Sequence, residues 1–270
     1  MSEILFSTTF KTEEEEKIAS KFFNVYKSRM EVSSNSLIIG RYSVLPYYKE
    51  LEYDLNTKNS KLINSYKEHL YVAELMNYIE DLKEMTPKTW SSLEEVPYNI
   101  NNPLILKGST NSKKFLWNTH MYAEDRSSAV KVMLNLMNDS LIGQQQIRVR
   151  KYEPLVTFEI GAGGYPVTKE FRFFVLDGKI ISGGYYWASF YDELLKTHKN
   201  ELSIENIPKD FLNEAIRRVK DNIRFFAIDV AQKIDGNWII IEINDGQMSG
   251  LCMNEPQILY ENLKKVIGGE

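Results

Sequence analysis

Cysteine is nearly absent from this 270-residue chain. Cys252 stands alone, which excludes an internal disulfide framework and fits a reducing compartment. Histidine is almost as scarce, and His69, His120 and His198 are too scattered to suggest a zinc site. No apolar run is long enough to span a bilayer, so no membrane association is expected. The opening MSEILFSTTFKTEEEE has a short apolar run without a basic flank and does not read as a secretory signal. A surplus of positive charge is missing too. The net charge of −4 and pI near 5.6 argue against general nucleic-acid binding. No internal repeat occurs, and the run Glu13–Glu16 suits a solvated helix start. The expectation is a cytoplasmic globular protein with one large or two modest domains.

What is present alternates between strand and helix signals. EILFSTT reads as a strand, and Thr12 with Glu15 as a capping box for a helix running to about Ser28. SLIIG is a second strand, and Ser65 with Glu68 caps a helix that must end before Pro87. This order predicts a small α/β domain over residues 1–85. TPKTWSSLEEVPYNINNP reads as a linker. PLILKGSTNSKKFLW then gives a strand, a small-residue loop and a second strand, followed by an amphipathic helix over SSAVKVMLNLMNDSL and a strand in QQIRVRKYEPL. EFRFFVL and KIISGGYYW flank Asp177-Gly178, a hairpin signal. Helices are predicted around 191–199, 208–222 and 256–267.

The stretch DGNWIIIEINDGQMSG sets Glu242 and Asn244 among isoleucines. Period two places Trp238, Ile240, Glu242 and Asn244 on one face of a strand. Upstream, FFAIDVAQKI carries one aspartate, Asp229, and Asp235-Gly236 joins the two strands. If Ile234 pairs with Asn237, Asp229 falls opposite Glu242; a four-residue loop closed by Lys233 and Trp238 gives the same register. Opposed carboxylates repel with Cβ atoms roughly 5 Å apart. A divalent cation would remove that repulsion, and Asp, Glu and Asn oxygens suit magnesium. The competing reading makes Asn244-Asp245-Gly246 a plain turn and Glu242 a solvated edge residue. If the carboxylates only repel, Glu242→Gln should stabilise the nucleotide-free protein.

The order of these parts resembles the ATP-grasp superfamily of ATP-dependent carboxylate–amine ligases over about residues 100–250. The elements are Lys107 at a strand end, the loop GSTNSKK, the hinge VRKYEPL, Arg172 in a hairpin, Asp229, and Glu242 with Asn244. LKGSTNSK, KEFRFFVLDGKIISGGYYW and IEINDGQMSGL look like a compact branch found in phage and bacterial genomes. The resemblance implies an α+β ATP-grasp fold over 86–270, with a small lobe at about 100–150 and a large lobe at 151–270, behind the N-terminal domain. It implies ATP and Mg2+ as cofactors, and small-molecule or peptide carboxylate and amine substrates joined through an acylphosphate.

Lys107 and Arg172 would then be catalytic. The ATP-binding set would be Lys107, Lys113, Arg150, Lys151, Tyr152, Glu153 and Arg172. Backbone of the hinge would meet the adenine edge, with Glu153 on the ribose. Asp229, Glu242 and Asn244 would hold the metal. Arg172 among aromatics needs an anionic partner, and Glu170 shares its face. Arg41 at a strand end and Asn64 and Ser65 at a helix start are candidate acceptor-substrate residues. Three rival readings stay open here: a phosphotransferase at the same site, a non-catalytic nucleotide-binding module, and a metal-dependent nuclease, which leaves the lysine loop unexplained.

Overall fold

The computed structural model describes residues 1–7 and 13–269. The Thr12–Glu15 capping box therefore lies outside the described residues. β1 (Ser2–Leu5), β2 (Asn24–Tyr26), β3 (Leu37–Gly40) and β4 (Lys61–Leu62) form a parallel sheet in the order β2-β1-β3-β4. Its helices are α1 (Glu13–Ala19) and α2 (Tyr48–Asn56). The first helix is shorter than the expected run to Ser28. Residues 24–26 leave it to pair with β1, which lets Phe23 enter the core beside Ile4 and Phe6. Ser65 and Glu68 do form the predicted capping box of α3 (Tyr66–Ala73), and α4 (Leu75–Tyr78) follows at once.

β5 (Thr89–Trp90), β6 (Leu104–Gly108), β7 (Tyr122–Ala123) and β8 (Ile147–Lys151) make a second sheet, ordered β5-β8-β6-β7. The stretch read as linker thus contributes a strand, anchored by Trp90 in the lobe's core. Where a second strand was expected right after the small-residue loop, the chain instead makes a tight turn at Lys114–Leu116 and α5 (Trp117–His120). α6 (Arg126–Met137), capped by Asp125, covers one face with Ala129, Val132 and Leu136. Alternation along β6 sends Leu104 and Leu106 into that core and Ile105 and Lys107 to the other side.

β9 (Thr157–Ile160) and β10 (Pro166–Thr168) form a small antiparallel pair. β11 (Glu170–Leu176), β12 (Lys179–Tyr185), β13 (Phe225–Gln232) and β14 (Trp238–Asp245) build the central antiparallel sheet, ordered β12-β11-β13-β14. One face packs Phe171, Phe173, Ile228, Val230, Ile240 and Ile243 against α7 (Tyr191–His198), α8 (Lys209–Val219) and residues 72–85. Part of the opposite face, Phe174, Phe225 and Ala227, meets α9 (Pro256–Gly268) and the N-terminal sheet. The rest of that face is polar: Glu170, Arg172, Asp229, Glu242 and Asn244 follow from the register. This is the mixed α and β architecture expected of an ATP-grasp fold. No helix among the described residues is long and apolar enough to cross a membrane.

The two hairpins turn differently. Asp177 and Gly178 both have positive φ, 49° and 75°, as a two-residue turn with right-handed strand twist requires. At the second hairpin Lys233 N–H donates to Asn237 O and only Gly236 is left-handed, so the loop has three residues. That offset alone would misalign the carboxylates. A bulge at Ile241 restores it, and Asp229 does oppose Glu242. The bulge also moves residues between faces: Ile239 joins Glu242 and Asn244, while Trp238 and Ile240 lie on the other side. The pairing expected from the sequence is present, but two deviations that cancel produce it.

Candidate active site

The polar half of the central sheet and the open side of the β5–β8 sheet face one another across a cleft of about 850 Å³, including its open mouth. Lys107, on an inner strand, crosses it and places Nζ 2.7 Å from Glu242 Oε2. Asn244 Nδ2 donates to the other oxygen, Oε1, at 3.2 Å. Burial alone would raise the Glu242 pKa, but the Lys107 ammonium outweighs it and holds the carboxyl well below its usual range.

Opposite Glu242, Asp229 is fully buried and takes a bidentate pair from Arg172, Nε–Oδ1 2.8 Å and Nη2–Oδ2 2.6 Å. Arg172 also donates to Gly250 O at 3.1 Å. That carbonyl can come close because the 250–254 segment crosses the hairpin at Gly184, where any Cβ would lie 2.4 Å from Met253 backbone. The guanidinium is disfavoured by burial, yet Asp229 keeps its pKa raised. Arg172 therefore finds its anion in Asp229; Glu170 instead accepts from Thr168 Oγ1 at 3.0 Å.

Arg150 reaches from β8 to the central sheet. Its Nη1 donates to Ile241 O at 2.7 Å and its Nη2 to Thr86 Oγ1 at 2.6 Å. The carbonyl is that of the bulge residue, so Arg150 fastens one lobe to the irregularity that sets the carboxylate register. Lys151 pairs with Glu153 at 3.1 Å on the cleft wall, beside Tyr152. The amides of Lys151 and Tyr152 are already bonded to Lys88 O and Pro103 O, so those two donors are closed to an adenine edge.

Residues 64–263 match the model of an ATP-grasp domain family, the third family of its clade. The chain belongs to this ATP-grasp family. No curated protein matches it by sequence. Solved structures share the ATP-grasp fold. D-cycloserine synthetase DcsG aligns with TM-score 0.63 at 10% identity, covering 99% of this chain and 100% of that one. The ATP-grasp ligase PsnB, complexed with a phosphomimetic variant of its minimal precursor, Mg and ADP, aligns at 0.60 and 10%, covering 100% and 98%. D-alanyl-alanine synthetase A from Vibrio cholerae O1 biovar eltor aligns at 0.57 and 11%, also covering 100% and 98%.

Within this ATP-grasp cleft, Lys107, Arg150, Lys151, Tyr152, Glu153 and Glu242 line the cavity, with Arg172, Asp229 and Asn244 behind or beside Glu242. Lys113 is elsewhere: it turns to Asp139 at 2.7 Å. Its neighbour Lys114 lines the cleft instead, bonded to the Tyr186 hydroxyl and 4.1 Å over that ring. Arg41, Asn64 and Ser65 do not line the cleft. Arg41 is buried against Glu15 at 2.9 Å and donates to Gly246 O and Ser249 O. Asn64 brackets Phe225 and Asp245, and Ser65 caps α3. Glu15 Oε1 accepts from both Arg41 and Tyr260.

Sequence reasoning missed Lys114, Glu170, Trp117 and Tyr165 as cleft residues, whereas Tyr186 and Trp187, which the sequence places in the core or the cleft wall, do line it. Period two puts Glu170 on the face of Arg172, but from the sequence it reads only as that arginine's partner. Nothing in the sequence separates Lys113 from Lys114, because a tight turn decides which one faces inward.

The donor set fits magnesium. No group of three or more His, Cys, Asp or Glu side chains able to hold a metal occurs among the described residues. Glu242 lines the cleft, with Asn244 bonded to it and Asp229 opposite it on the neighbouring strand, and magnesium typically uses one or two carboxylates plus phosphate oxygens and waters. Cys252 lies close by, but burial pushes its thiol up to about 11, so it is no nucleophile at neutral pH.

Proposed function

We propose that this ATP-grasp protein is a magnesium-ATP-dependent ligase joining a carboxylate to an amine through an acylphosphate. The observation that carries the reading is the Asp229–Glu242 opposition, with Asn244 beside it and Lys107 and Arg172 already in contact with the two carboxylates. Asp229, Glu242 and Asn244 would hold the metal, which supplies charge neutralisation on the phosphate oxygens. The chain's own residues do the rest. Lys107, Lys114 and Arg172 would leave their present partners for phosphate and stabilise charge during in-line transfer. Ile105, Met121, Trp117 and Leu155 offer the apolar walls a nucleobase needs. Glu153 stands on the same wall for the ribose. The reaction needs no covalent protein nucleophile.

Three neighbours of similar length are named as a synthetase or ligase, which agrees with the reading through fold alone. Calorimetry of ATP with magnesium and with chelator tests the metal. Equal affinity in both would sink that assignment. A screen of carboxylates with amines, read by phosphate release and amide formation, tests the reaction. A stable phosphorylated product with no amide would replace the ligase by a phosphotransferase.

A further inference from the structure

The cleft is rich in cations, and nearly every carboxylate in it already has one. Glu242 holds Lys107, Glu153 holds Lys151, and Asp229 behind them holds Arg172. Glu170 is the exception. It lines the cleft, is 7% exposed, and forms no ion pair among the described residues. One oxygen, Oε2, accepts from Thr168 Oγ1 at 3.0 Å, and Thr168 Oγ1 in turn accepts from the Trp187 indole N–H at 3.1 Å. This relay pins the carboxylate. Oε1 accepts no hydrogen bond from the described residues. Trp187, stacked on Tyr165 with centroids 5.4 Å apart, lines the cleft beside it and already has the Lys114 ammonium 5.0 Å over its ring, so this wall accommodates cations. A ligase must receive an amine that arrives as an ammonium and reacts only after losing a proton. A cleft whose other carboxylates are taken leaves one place for it.

We propose that Glu170 is the acceptor-amine residue, binding the substrate ammonium through Oε1 and taking the proton it loses before attack. This rests on the ligase reading above. In the step, R–NH3+ gives one proton to the Glu170 carboxylate. The nitrogen lone pair forms the C–N bond at the acyl carbon, and the C–O bond to phosphate breaks. The second proton lost by nitrogen leaves with the phosphate. Several groups face this carboxyl: Lys114 from the turn after the loop, Tyr185 and Tyr186 from the end of β12, Asp229 on β13 and Glu242 on β14. Burial, with Asp229 and Glu242 adding to it against the pull of Lys114, pushes the carboxyl up to about 7.

The test compares full-length wild type with Glu170→Gln and Glu170→Asp. Magnesium-ATP is supplied with a mixture of the common amino acids as carboxylate and amine, or with hydroxylamine in place of the amine. Hydroxylamine is largely uncharged in neutral buffer and needs neither an ammonium site nor a base. The expected result for Glu170→Gln is magnesium-ATP affinity within about twofold of wild type, hydroxamate formation retained, and amide formation down about 100-fold. Glu170→Asp should recover part of the amide rate. Wild-type amide formation by Glu170→Gln overturns the proposal, as does loss of magnesium-ATP binding, which would make Glu170 a nucleotide or metal residue. If wild type yields neither hydroxamate nor amide, the ligase reading falls and takes this proposal with it.

Discussion

Glu242 and Asp245 stand three residues apart on β14, on opposite faces of the sheet, and the polar clusters around them differ in kind. Around Asp245, His69 Nδ1 lies at 3.1 Å, Asn64 Nδ2 at 2.8 Å and the Gln247 amide at 2.9 Å, with Tyr48 stacked on His69. Arg41 completes the junction by holding Gly246 O and Ser249 O. Each of these groups is bonded to protein, and together they join the N-terminal sheet to the central one. Around Glu242 and Asp229, the partners are Lys107, which lines the cleft, and Arg172 behind it, which under the proposed function exchange carboxylate for phosphate. A saturated network fixes geometry, whereas ion pairs beside a cavity hold charge ready for a ligand.

The largest expected effect strikes the cleft. Arg172→Ala leaves Asp229 buried and unpaired and should cost about 3–5 kcal/mol in the nucleotide-free protein. Urea denaturation measures it, and a loss under about 1 kcal/mol would show that Asp229 does not need its partner. Next comes the junction. Asn64→Ala strips hydrogen bonds from Phe225 N–H, Phe225 O and Asp245, for a loss of about 2–3 kcal/mol. Magnesium-ATP affinity of the folded variant should stay within about twofold. A large change in affinity would erase the distinction between the clusters.

Glu170 gives a pH signature of opposite sign to an ordinary ion-paired carboxylate. Its folded pKa, about 7, lies above the usual 4.5, so the folded state holds the proton more tightly. The stability this brings is present in acid and is lost as pH rises from about 4.5 through 7. Glu170→Gln should therefore match wild type near pH 5 and exceed it by about 2 kcal/mol near pH 8. Thermal melts across that range check the sign.

A smaller effect concerns Glu242→Gln. Carboxylate repulsion alone would make this variant more stable, but the Lys107 contact reverses the sign. It should lose about 1 kcal/mol at neutral pH. Because the folded pKa of Glu242 is depressed, the wild-type advantage holds above the usual carboxylate range and fades as pH falls below it. Melts at neutral and acid pH would settle it. The smallest contrast is between adjacent lysines. Lys113→Ala should leave magnesium-ATP affinity unchanged by calorimetry, while Lys114→Ala weakens it.

The sequence by itself determined the strand and helix order through most of the chain, the Asp177-Gly178 turn, the Ser65 cap and the presence of two acidic strands carrying Asp229 and Glu242. These depend on periodicity, turn chemistry and local hydrogen bonds, which act over a few residues. The family likeness was legible too, because a strand-ending lysine, a hairpin arginine and a Glu-x-Asn pair recur in a fixed order.

Tertiary structure decided what depends on distant partners. The three-residue loop at Ile234–Gly236 and the bulge at Ile241 were invisible locally, yet jointly they set the carboxylate register and assign Trp238 and Ile240 to the other face. Arg41 and Asn64 sit where ligands often bind, but Glu15, Asp245 and Phe225 arrive from elsewhere in the chain and engage them. Which of Lys113 and Lys114 faces the cleft follows from a tight turn and from Asp139 and Tyr186 on either side. A buried charge takes the nearest geometrically suitable partner, and only the folded chain determines which groups are near.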